Sequence, residues 1–321
     1  MNYIPPFKIT TKIIDLISKI SLNIGKLEAI DSRTSLPLLR KVNQIKTITG
    51  TLQIEGNTLD EERITALIEG KKVLGKVDEI AEANGAIALY KLLDNLNYKE
   101  EKELLKSHKI LMDELLKKAG TYRTSDVGVG GKDGVVHVAP PSGQISKLMD
   151  ELFKWLNTTD VHPLIVSSVF HYEFEFIHPF IDGNGRMGRF WQSLILYNWN
   201  NYFSVIPIES IIRDKQQEYY NVLEQCGSDG ESTLFIEFAL ESILEAIDKV
   251  GNKVGNKVGN LSDNQKSIIE QIKLNNKISA AKLADAIGIS KRKIEENLAK
   301  LKEQGILLRM GGTRGHWEVF N

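Results

Sequence analysis

Residues 178–189 read HPFIDGNGRMGR and lie between two apolar segments. The upstream segment, residues 163–177 (PLIVSSVFHYEFEFI), predicts a helix with a proline at its first position, and the apolar pattern resumes over residues 186–198. The sequence therefore predicts a helix, a turn and a second helix. No hydrophobic core requires the glycines and charged side chains of residues 178–189, so their composition indicates a chemical role.

The middle of this loop has the composition of an anion-binding site. Gly183 and Gly185 allow positive φ, and the N–H groups around Asn184 would stand at the start of the second helix, where a phosphate is favoured. Arg186 and Arg189 are three residues apart on that helix, so both guanidinium groups can reach one anion. These five residues are the predicted nucleotide-binding residues.

Three further residues of the loop have predicted roles. Asp182 offers the hard oxygen that Mg²⁺ prefers, and His178 is the natural proton acceptor near neutral pH. Phe180 is predicted to be a core anchor that fixes the loop. A single Gly-Asn-Gly sequence usually marks only a turn, but the joint pattern favours a Mg²⁺-nucleotide site with a base beside it.

The loop resembles the signature of the Fic family (filamentation induced by cyclic AMP), His-x-Phe-x-(Asp/Glu)-Gly-Asn-Gly-Arg-x-x-Arg, and matches it at every defined position. The resemblance implies a protein adenylyltransferase, which moves AMP from ATP to a Ser, Thr or Tyr hydroxyl of a target protein and releases pyrophosphate. It assigns the base to His178, Mg²⁺ to Asp182 and the γ-phosphate to Arg189. Arg186 stands where a phosphorylating branch has lysine, which favours AMP transfer.

A second motif lies upstream, where residues 51–57 read TLQIEGN. Thr51 and Glu55 are four residues apart and share one helix face, and Gly56 can end that helix. The motif resembles the inhibitory helix, (Ser/Thr)-x-x-x-Glu-(Gly/Asn), of regulated Fic proteins that carry their inhibitor at the N-terminus. The resemblance implies auto-inhibition, with Glu55 paired to Arg189 in the place of the γ-phosphate.

A short β-hairpin is predicted between the two motifs. Val127–Val129 and Val135–Val138 read as strands joined by turn residues Gly130–Gly134. The hairpin is similar to the flap of Fic proteins, so a target protein is expected to dock at residues 127–138 by adding a strand to its edge.

The composition bounds the class of protein. The 321 residues are 42% hydrophobic and 26% charged, and the single Cys226 excludes an internal disulfide and fits a reducing compartment. No secretory signal opens the sequence and no apolar run has the length of a membrane span, so we expect a cytoplasmic protein with no membrane partner. Either the N-terminal region or the C-terminal segment could support a homodimer.

The predicted fold is an all-α Fic-type helical domain with a small β-hairpin flap, followed by a winged helix-turn-helix domain. The divisions are an N-terminal helical region with the inhibitory helix, a catalytic core, a linker and a winged helix, at 1–97, 98–249, 250–260 and 261–321. The linker is predicted because residues 250–260 read VGNKVGNKVGN, which is rich in glycine and asparagine; an extension of the preceding helix is the less favoured alternative.

The C-terminal segment has its own charge balance. Residues 261–321 hold eleven Lys and Arg against seven Asp and Glu, whereas residues 1–260 hold thirty against thirty-five. The first predicted helix is Lys282–Ile287, followed by the turn glycine Gly288 and the N-cap Ser290. The second helix, Lys291–Gln304, has a basic start, and the two wing strands are Ile306–Met310 and His316–Phe320. The basic helix start and Arg314 at the wing tip fit DNA, but a protein partner is equally compatible.

Three alternatives remain open from the sequence. The chain could be a nucleotide-sensing DNA-binding regulator that acts through the winged helix. It could also transfer a phosphoryl group or another nucleotide, or remove AMP. A zinc site is poorly supported, because His162, His171 and His178 lack the spacing of a metalloprotease helix.

Overall fold

The computed structural model describes residues 3–30, 36–131, 134–258, 261–303, 306–310 and 315–319. Its N-terminal half is helical, with α1 to α5 at Thr11–Ile30, Leu36–Ile54, Glu61–Ile68, Val77–Tyr90 and Glu101–Met112. The buried face of α1 consists of apolar residues spaced three and four apart, Ile13, Leu16, Ile20, Ile24 and Leu27. Helix α2 ends at Ile54, where Gly56 adopts a φ of 88° that favours glycine.

The predicted hairpin is present, one to two residues from its expected position. Strand β1, Gly128–Gly131, pairs antiparallel with β2, Gly134–Val138, and Gly128 lies opposite Val138. The register is irregular between Val129 and Gly130, and residues 132 and 133 of the predicted turn lie outside the described residues. A short 3-10 helix, Ser142–Gln144, separates β2 from α6, Ile145–Thr158.

Two central helices carry the loop of residues 178–189, which we call the signature loop. Helix α7, Pro163–Ile177, packs along α8, Asn184–Trp199, and both are buried on nearly every side. The remaining helices of this lobe are α9, α10 and α11, at Ile208–Asp214, Gln216–Asp229 and Thr233–Val258, and a short 3-10 turn at Asn201–Val205 precedes them. Because α1 packs on α11 and α2 on α9, the N-terminal helices are part of the same core.

The prediction of a linker over 250–260 is wrong for its first nine residues. Helix α11 continues to Val258, and residues 259 and 260 lie outside the described residues. Composition misleads here because propagating an existing helix adds one hydrogen bond per residue fixed, even through residues of low intrinsic propensity. The first half of α11 is held by its packing against α1, and Val250 is still buried.

The C-terminal segment folds around a second hydrophobic core. Its elements are α12, α13 and α14 and the strands β3 and β4, at Asp263–Leu274, Ala280–Ile287, Lys291–Glu303, Leu307–Met310 and His316–Val319. Apolar side chains from the three helices and from β3 form that core. Gly288 turns between α13 and α14 with a φ of 75°, and the predicted Arg314 lies outside the described residues. The predicted fold class, a helical domain with a small hairpin followed by a winged helix, is confirmed.

Two further features of the chain are its single cysteine and the apolar character of its helices. Cys226 is fully buried, and burial raises the pKa of its thiol to about 11, as expected of a small packing residue. Among the described residues, no helix combines the length and the apolar character that a membrane span needs.

Candidate active site

The signature loop begins where α7 ends. His178 adopts a left-handed conformation with φ 50° and ψ 60°, and its N–H donates to the Phe174 carbonyl at 2.9 Å, which closes the helix. It is the one non-glycine residue with positive φ in the described part of the chain. The imidazole is half-buried, with Nδ1 3.4 Å from the Glu175 carbonyl. The candidate base is therefore held at a fixed turn rather than on a flexible segment.

Arg123, whose role was not predicted, ties this turn to the base of the hairpin. Its side chain is buried, and its Nε donates to the His178 carbonyl at 2.8 Å while Nη1 donates to the Ser125 carbonyl at 2.9 Å. The Arg123 N–H also donates to the Pro179 carbonyl at 2.9 Å. The sequence shows only an arginine after a turn, because its partners are backbone carbonyls that the fold brings together.

A second residue whose role was not predicted, His108 of α5, contacts the signature loop at Phe180 and Asp182. Its ring stacks on the fully buried Phe180 with centroids 3.6 Å apart, so the predicted anchor role of Phe180 is confirmed. The Gly120 N–H donates to Nδ1 at 2.8 Å, and burial lowers the pKa of His108 to about 4. The neutral ring then carries its proton on Nε2, which donates to the Asp182 carbonyl at 2.9 Å.

Asp182, the predicted metal ligand, presents an exposed carboxylate at the edge of the loop. Its Oδ1 lies 3.1 Å from Nη2 of Arg186, and its side chain is 56% exposed. Within the described residues, no three His, Cys, Asp or Glu side chains are grouped to hold a metal ion. One carboxylate beside a phosphate-type turn nevertheless suits Mg²⁺, which keeps several waters and takes further ligands from phosphates.

The anion-binding turn forms at the start of α8. Gly183 has a φ of 82°, and no side chain from this N-cap position caps α8, which leaves the N–H groups of the first turn as candidate donors for an anion. The Gly183 N–H itself donates to Oδ1 of Asp182 at 2.5 Å. The Asn184 side chain instead locks the loop, because it accepts from the Phe180 N–H and donates to the Phe180 carbonyl, both at 2.9 Å. Asn184 can therefore offer an anion only its backbone.

Of the two glycines that allow positive φ, only Gly183 adopts it, since Gly185 lies in the first turn of α8. Its lack of a side chain has a different reason. A Cβ at Gly185 would collide with Oε1 of Glu55 and would lie 3.0 Å from Nη1 of Arg189. A side chain at this position would therefore displace the Glu55 carboxylate, which follows the end of α2 and approaches the signature loop closely.

Arg186 is buried between two carboxylates. Its Nη1 lies 3.1 Å from Oε1 of Glu82 on α4, and its Nη2 lies 3.1 Å from Asp182. Glu82 was not predicted; its other oxygen accepts from Nδ2 of Asn57 at 2.9 Å. The turn that follows α2 is therefore linked through Glu82 to the first arginine of the signature loop.

The second arginine contacts residues 51–55 directly, as the resemblance of that segment predicts. Arg189 is 1% exposed, and its Nη2 lies 2.6 Å from Oε1 of Glu55 and 3.1 Å from the Thr51 carbonyl. Its Nε donates to the Thr51 hydroxyl at 3.0 Å. Burial acts to lower the pKa of Arg189, but the Glu55 carboxylate outweighs it and holds that pKa above its ordinary value.

Two other histidines, His162 and His171, have structural partners. His162 caps α7 by accepting from the Leu164 N–H, and the fully buried His171 has Nδ1 2.8 Å from Gln192 Oε1 and Nε2 3.1 Å from the Tyr219 hydroxyl. Burial lowers the pKa of His171 to about 3, so the ring is neutral. Tyr219 and the half-exposed Tyr220 pack against each other here. The Tyr220 hydroxyl also donates to the Ile54 carbonyl at 3.2 Å, at the end of α2.

Comparison with known proteins gives two family matches. A sequence model of the Fic/DOC family matches residues 98–196, and one of winged helix-turn-helix DNA-binding domains matches residues 261–307. Protein adenylyltransferase Fic of Drosophila ananassae is 28% identical over 239 residues, which are 68% of this chain and 46% of that protein. Its counterpart in Aedes aegypti is 29% identical over 219 residues, 65% of this chain and 42% of that protein. The chain thus spans less than half the length of these curated relatives.

Solved structures share the fold. A domain-level likeness is seen in a Fic domain containing signaling protein from Bacteroides thetaiotaomicron VPI-5482, with a TM-score of 0.60, 18% identity and coverage of 77% of this chain and 97% of that one. A Fic family protein from Desulfovibrio desulfuricans G20 has a TM-score of 0.74 and 37% identity, and the match covers 99% of both chains. With that likeness along the whole chain and a matching signature loop, this chain belongs to the Fic family.

Proposed function

We propose that this chain transfers AMP from ATP to a Ser, Thr or Tyr hydroxyl of a target protein, and that the conformation described above is its inhibited state. The observation that carries the proposal is the arrangement on one loop of a fixed histidine, an exposed carboxylate and two buried arginines, with Glu55 held on the second arginine. The curated relatives named protein adenylyltransferase support the reaction class.

In the proposed reaction the hydroxyl oxygen of the target attacks the α-phosphorus of ATP. The bond from that phosphorus to the bridging oxygen breaks, pyrophosphate leaves, and the hydroxyl proton passes to His178. Because Arg123 and the end of α7 fix the His178 backbone, the base is positioned before the substrates arrive. The N–H groups of Gly183, Asn184 and Gly185 and the side chain of Arg186 would hold the phosphates.

Mg²⁺ would be held by Asp182 together with the nucleotide phosphates. When bound, it neutralises phosphate charge and orients the leaving pyrophosphate. The protein supplies the exposed Asp182 carboxylate at the edge of the loop. Arg186 beside it holds that carboxylate in place until the metal and nucleotide bind.

Inhibition follows from one contact. While Glu55 lies 2.6 Å from Nη2 of Arg189, the guanidinium cannot receive the γ-phosphate, and a carboxylate there repels the nucleotide. Thr51 holds the same guanidinium from a second side, which adds to the lock. Release of Glu55 is therefore a condition for productive ATP binding.

The target is proposed to dock at residues 127–138. A two-stranded hairpin leaves an outer edge on each strand, and an extended target segment can pair with such an edge in the way of a third strand. A homodimer is compatible with this arrangement, since the inhibitory helix belongs to the same chain as the loop it blocks.

The reaction class is tested by intact-mass measurement after incubation with Mg²⁺-ATP. We expect a mass gain of one AMP on the protein itself, or on a lysate protein, with the Glu55→Gly chain and far less with the wild type. A gain of one phosphate would place the chain in the phosphorylating branch. Absence of any gain in both the protein and the lysate would refute the proposal.

A second function, DNA binding by the C-terminal domain, is favoured by the match to winged helix-turn-helix DNA-binding domains and by the exposed start of α14. Lys291 and Arg292 stand there, each paired with a glutamate one turn on, at 3.6 and 3.1 Å. These pairs reduce the positive field, which keeps a protein partner in competition.

For DNA binding by the full chain we expect an affinity for a specific duplex that falls steeply with salt, and an Arg292→Glu variant that binds at least about tenfold more weakly. The measurement is a fluorescence titration at several salt concentrations. Binding without sequence preference, or equal binding by Arg292→Glu, would instead indicate a protein-docking domain.

A further inference from the structure

A cavity lies beside α2, where Arg40, Gln44 and Thr47 line it. It has a volume of about 270 Å³ and is bounded by α2, by the end of α4 with the turn that follows, by α8 and by the 3-10 turn at residues 201–205. The volume is just below the ~300–1,000 Å³ of pockets for drug-sized ligands, so the cavity suits a smaller molecule. Phe203 and Ile206 form an apolar floor under its polar wall.

The polar wall contains a donor that lacks a partner. Within the described residues, Nε of Arg40 is buried without a hydrogen bond. The rest of the guanidinium has the Tyr197 hydroxyl as a partner, and Nη1 lies 3.9 Å from Oδ2 of Asp94. A buried donor that the protein does not satisfy is uncommon and points to a ligand. Gln44, Thr47 and Ser204 add neutral polar groups around it.

Charge defines the class of molecule that fits. Arg40 and Lys91 face a single carboxylate, Asp94, so the lining has a net positive charge. Glu209 lies behind the wall and does not line the cavity; it accepts from Tyr90 at 3.1 Å and from Ser193 at 2.8 Å. A guanidinium with a free donor is best matched by a carboxylate or a phosphate.

The cavity lies between the same two helices that form the inhibitory contact. Thr47, in its wall, is one turn before Thr51 on α2, and Ser193 is one turn after Arg189 on α8. Thr51 and Arg189 are the residues that hydrogen-bond across this interface. A molecule that touches both walls would therefore stabilise the packing of α2 on α8.

We propose that this cavity binds a small organic anion, carrying a carboxylate or a phosphate, and that the bound anion stabilises the inhibited state. The direction follows because the cavity exists in the conformation where Glu55 holds Arg189, and a ligand shifts the population toward the state that it binds. The anion site is independent of the proposed function, whereas the effect of the bound anion on inhibition rests on that function.

The anion site is tested with two alkylating reagents of similar size, iodoacetate (anionic) and iodoacetamide (neutral). A Ser204→Cys chain has a thiol in the cavity wall, and the natural Cys226 is buried. The measured quantity is the ratio of the reaction rate with iodoacetate to the rate with iodoacetamide, divided by the same ratio for glutathione. We expect a value of about ten, which corresponds to one short-range charge interaction. Arg40→Gln should abolish the preference while leaving the iodoacetamide rate unchanged.

A cysteine at the exposed Ser18 of α1 serves as the matched control and should show the glutathione ratio. A glutathione-like ratio at Ser204→Cys would overturn the anion site. So would a thiol that reacts with neither reagent, because the cavity would then be closed to such solutes.

The effect on inhibition is read from ATP affinity. Carboxymethylated Ser204→Cys should bind ATP at least about fivefold more weakly than the carbamidomethylated form, and the difference should vanish when Glu55→Gly is added. Equal affinities of the two alkylated forms would overturn the coupling even if the charge preference stands. Since neither measurement follows AMP transfer, failure of the proposed reaction is separable from failure of the site.

Discussion

Replacing His178 with alanine in a Glu55→Gly chain should lower AMP transfer by about 10²–10⁴-fold, the usual contribution of a positioned general base. The affinity for ATP should change little, because the phosphates are expected to contact the start of α8 and the arginines rather than the imidazole. The measurement is transfer of label from α-labelled ATP, with ATP affinity determined separately by titration.

The backbone of His178 requires a matched variant. With φ 50° and ψ 60°, this position costs an alanine about 1–2 kcal/mol in the folded state, so His178→Ala should also unfold more easily. Asparagine tolerates the left-handed region better and cannot act as the base. His178→Asn should therefore lose as much activity as His178→Ala with a smaller loss of stability. Substantial activity in His178→Asn would show that the histidine has a structural role only.

The signature loop and its two helices were predictable because their determinants are contiguous. Apolar periodicity fixed α7 and α8 to within two residues, and the loop between them carries its chemistry in neighbouring positions. The pairing of Glu55 with Arg189 joins residues 134 apart, and the sequence revealed it only through the resemblance of residues 51–57 to an inhibitory motif.

The supporting residues were missed for a physical reason. Arg123 donates to backbone carbonyls, His108 stacks on a ring and donates to a carbonyl, and Glu82 reaches Arg186 from a separate helix. Such partners have no characteristic spacing, because they arise only when distant helices pack together. An arginine or histidine of this kind looks like any polar residue on a helix or in a turn.

Two errors show where local composition misleads. The repeat in residues 250–258 has the composition of a linker, yet α11 continues through it because packing against α1 already holds the helix. Gly185 was expected to serve by allowing positive φ, but its backbone is helical, and what a side chain there would meet is Glu55. In both cases a tertiary contact decided what the local sequence left open.

Replacing Glu55 with glycine should raise AMP transfer by about 10- to 150-fold. A hydrogen bond between charged groups contributes about 1.5–3 kcal/mol, so while Glu55 is present only a small fraction of molecules has Arg189 available for the γ-phosphate. Glu55→Ala should give the same gain, because it removes the carboxylate without loosening the backbone. Glu55→Gln should fall between, since it keeps an acceptor oxygen in the same place but removes the charge.

Replacing Glu55 with alanine should make the protein less stable in the absence of nucleotide. Arg189 is 1% exposed, and without Glu55 the acceptors left to its guanidinium among the described residues are the hydroxyl and carbonyl of Thr51. Thermal unfolding of Glu55→Ala should begin at a lower temperature than that of the wild type, and saturating Mg²⁺-ATP should restore more stability to the variant because the γ-phosphate replaces the missing anion. A variant that is more active and equally stabilised by ATP would mean that Glu55 acts elsewhere than at the γ-phosphate position. The combination of higher activity, lower resting stability and a larger response to ATP is expected only if Glu55 occupies the place that the nucleotide must take.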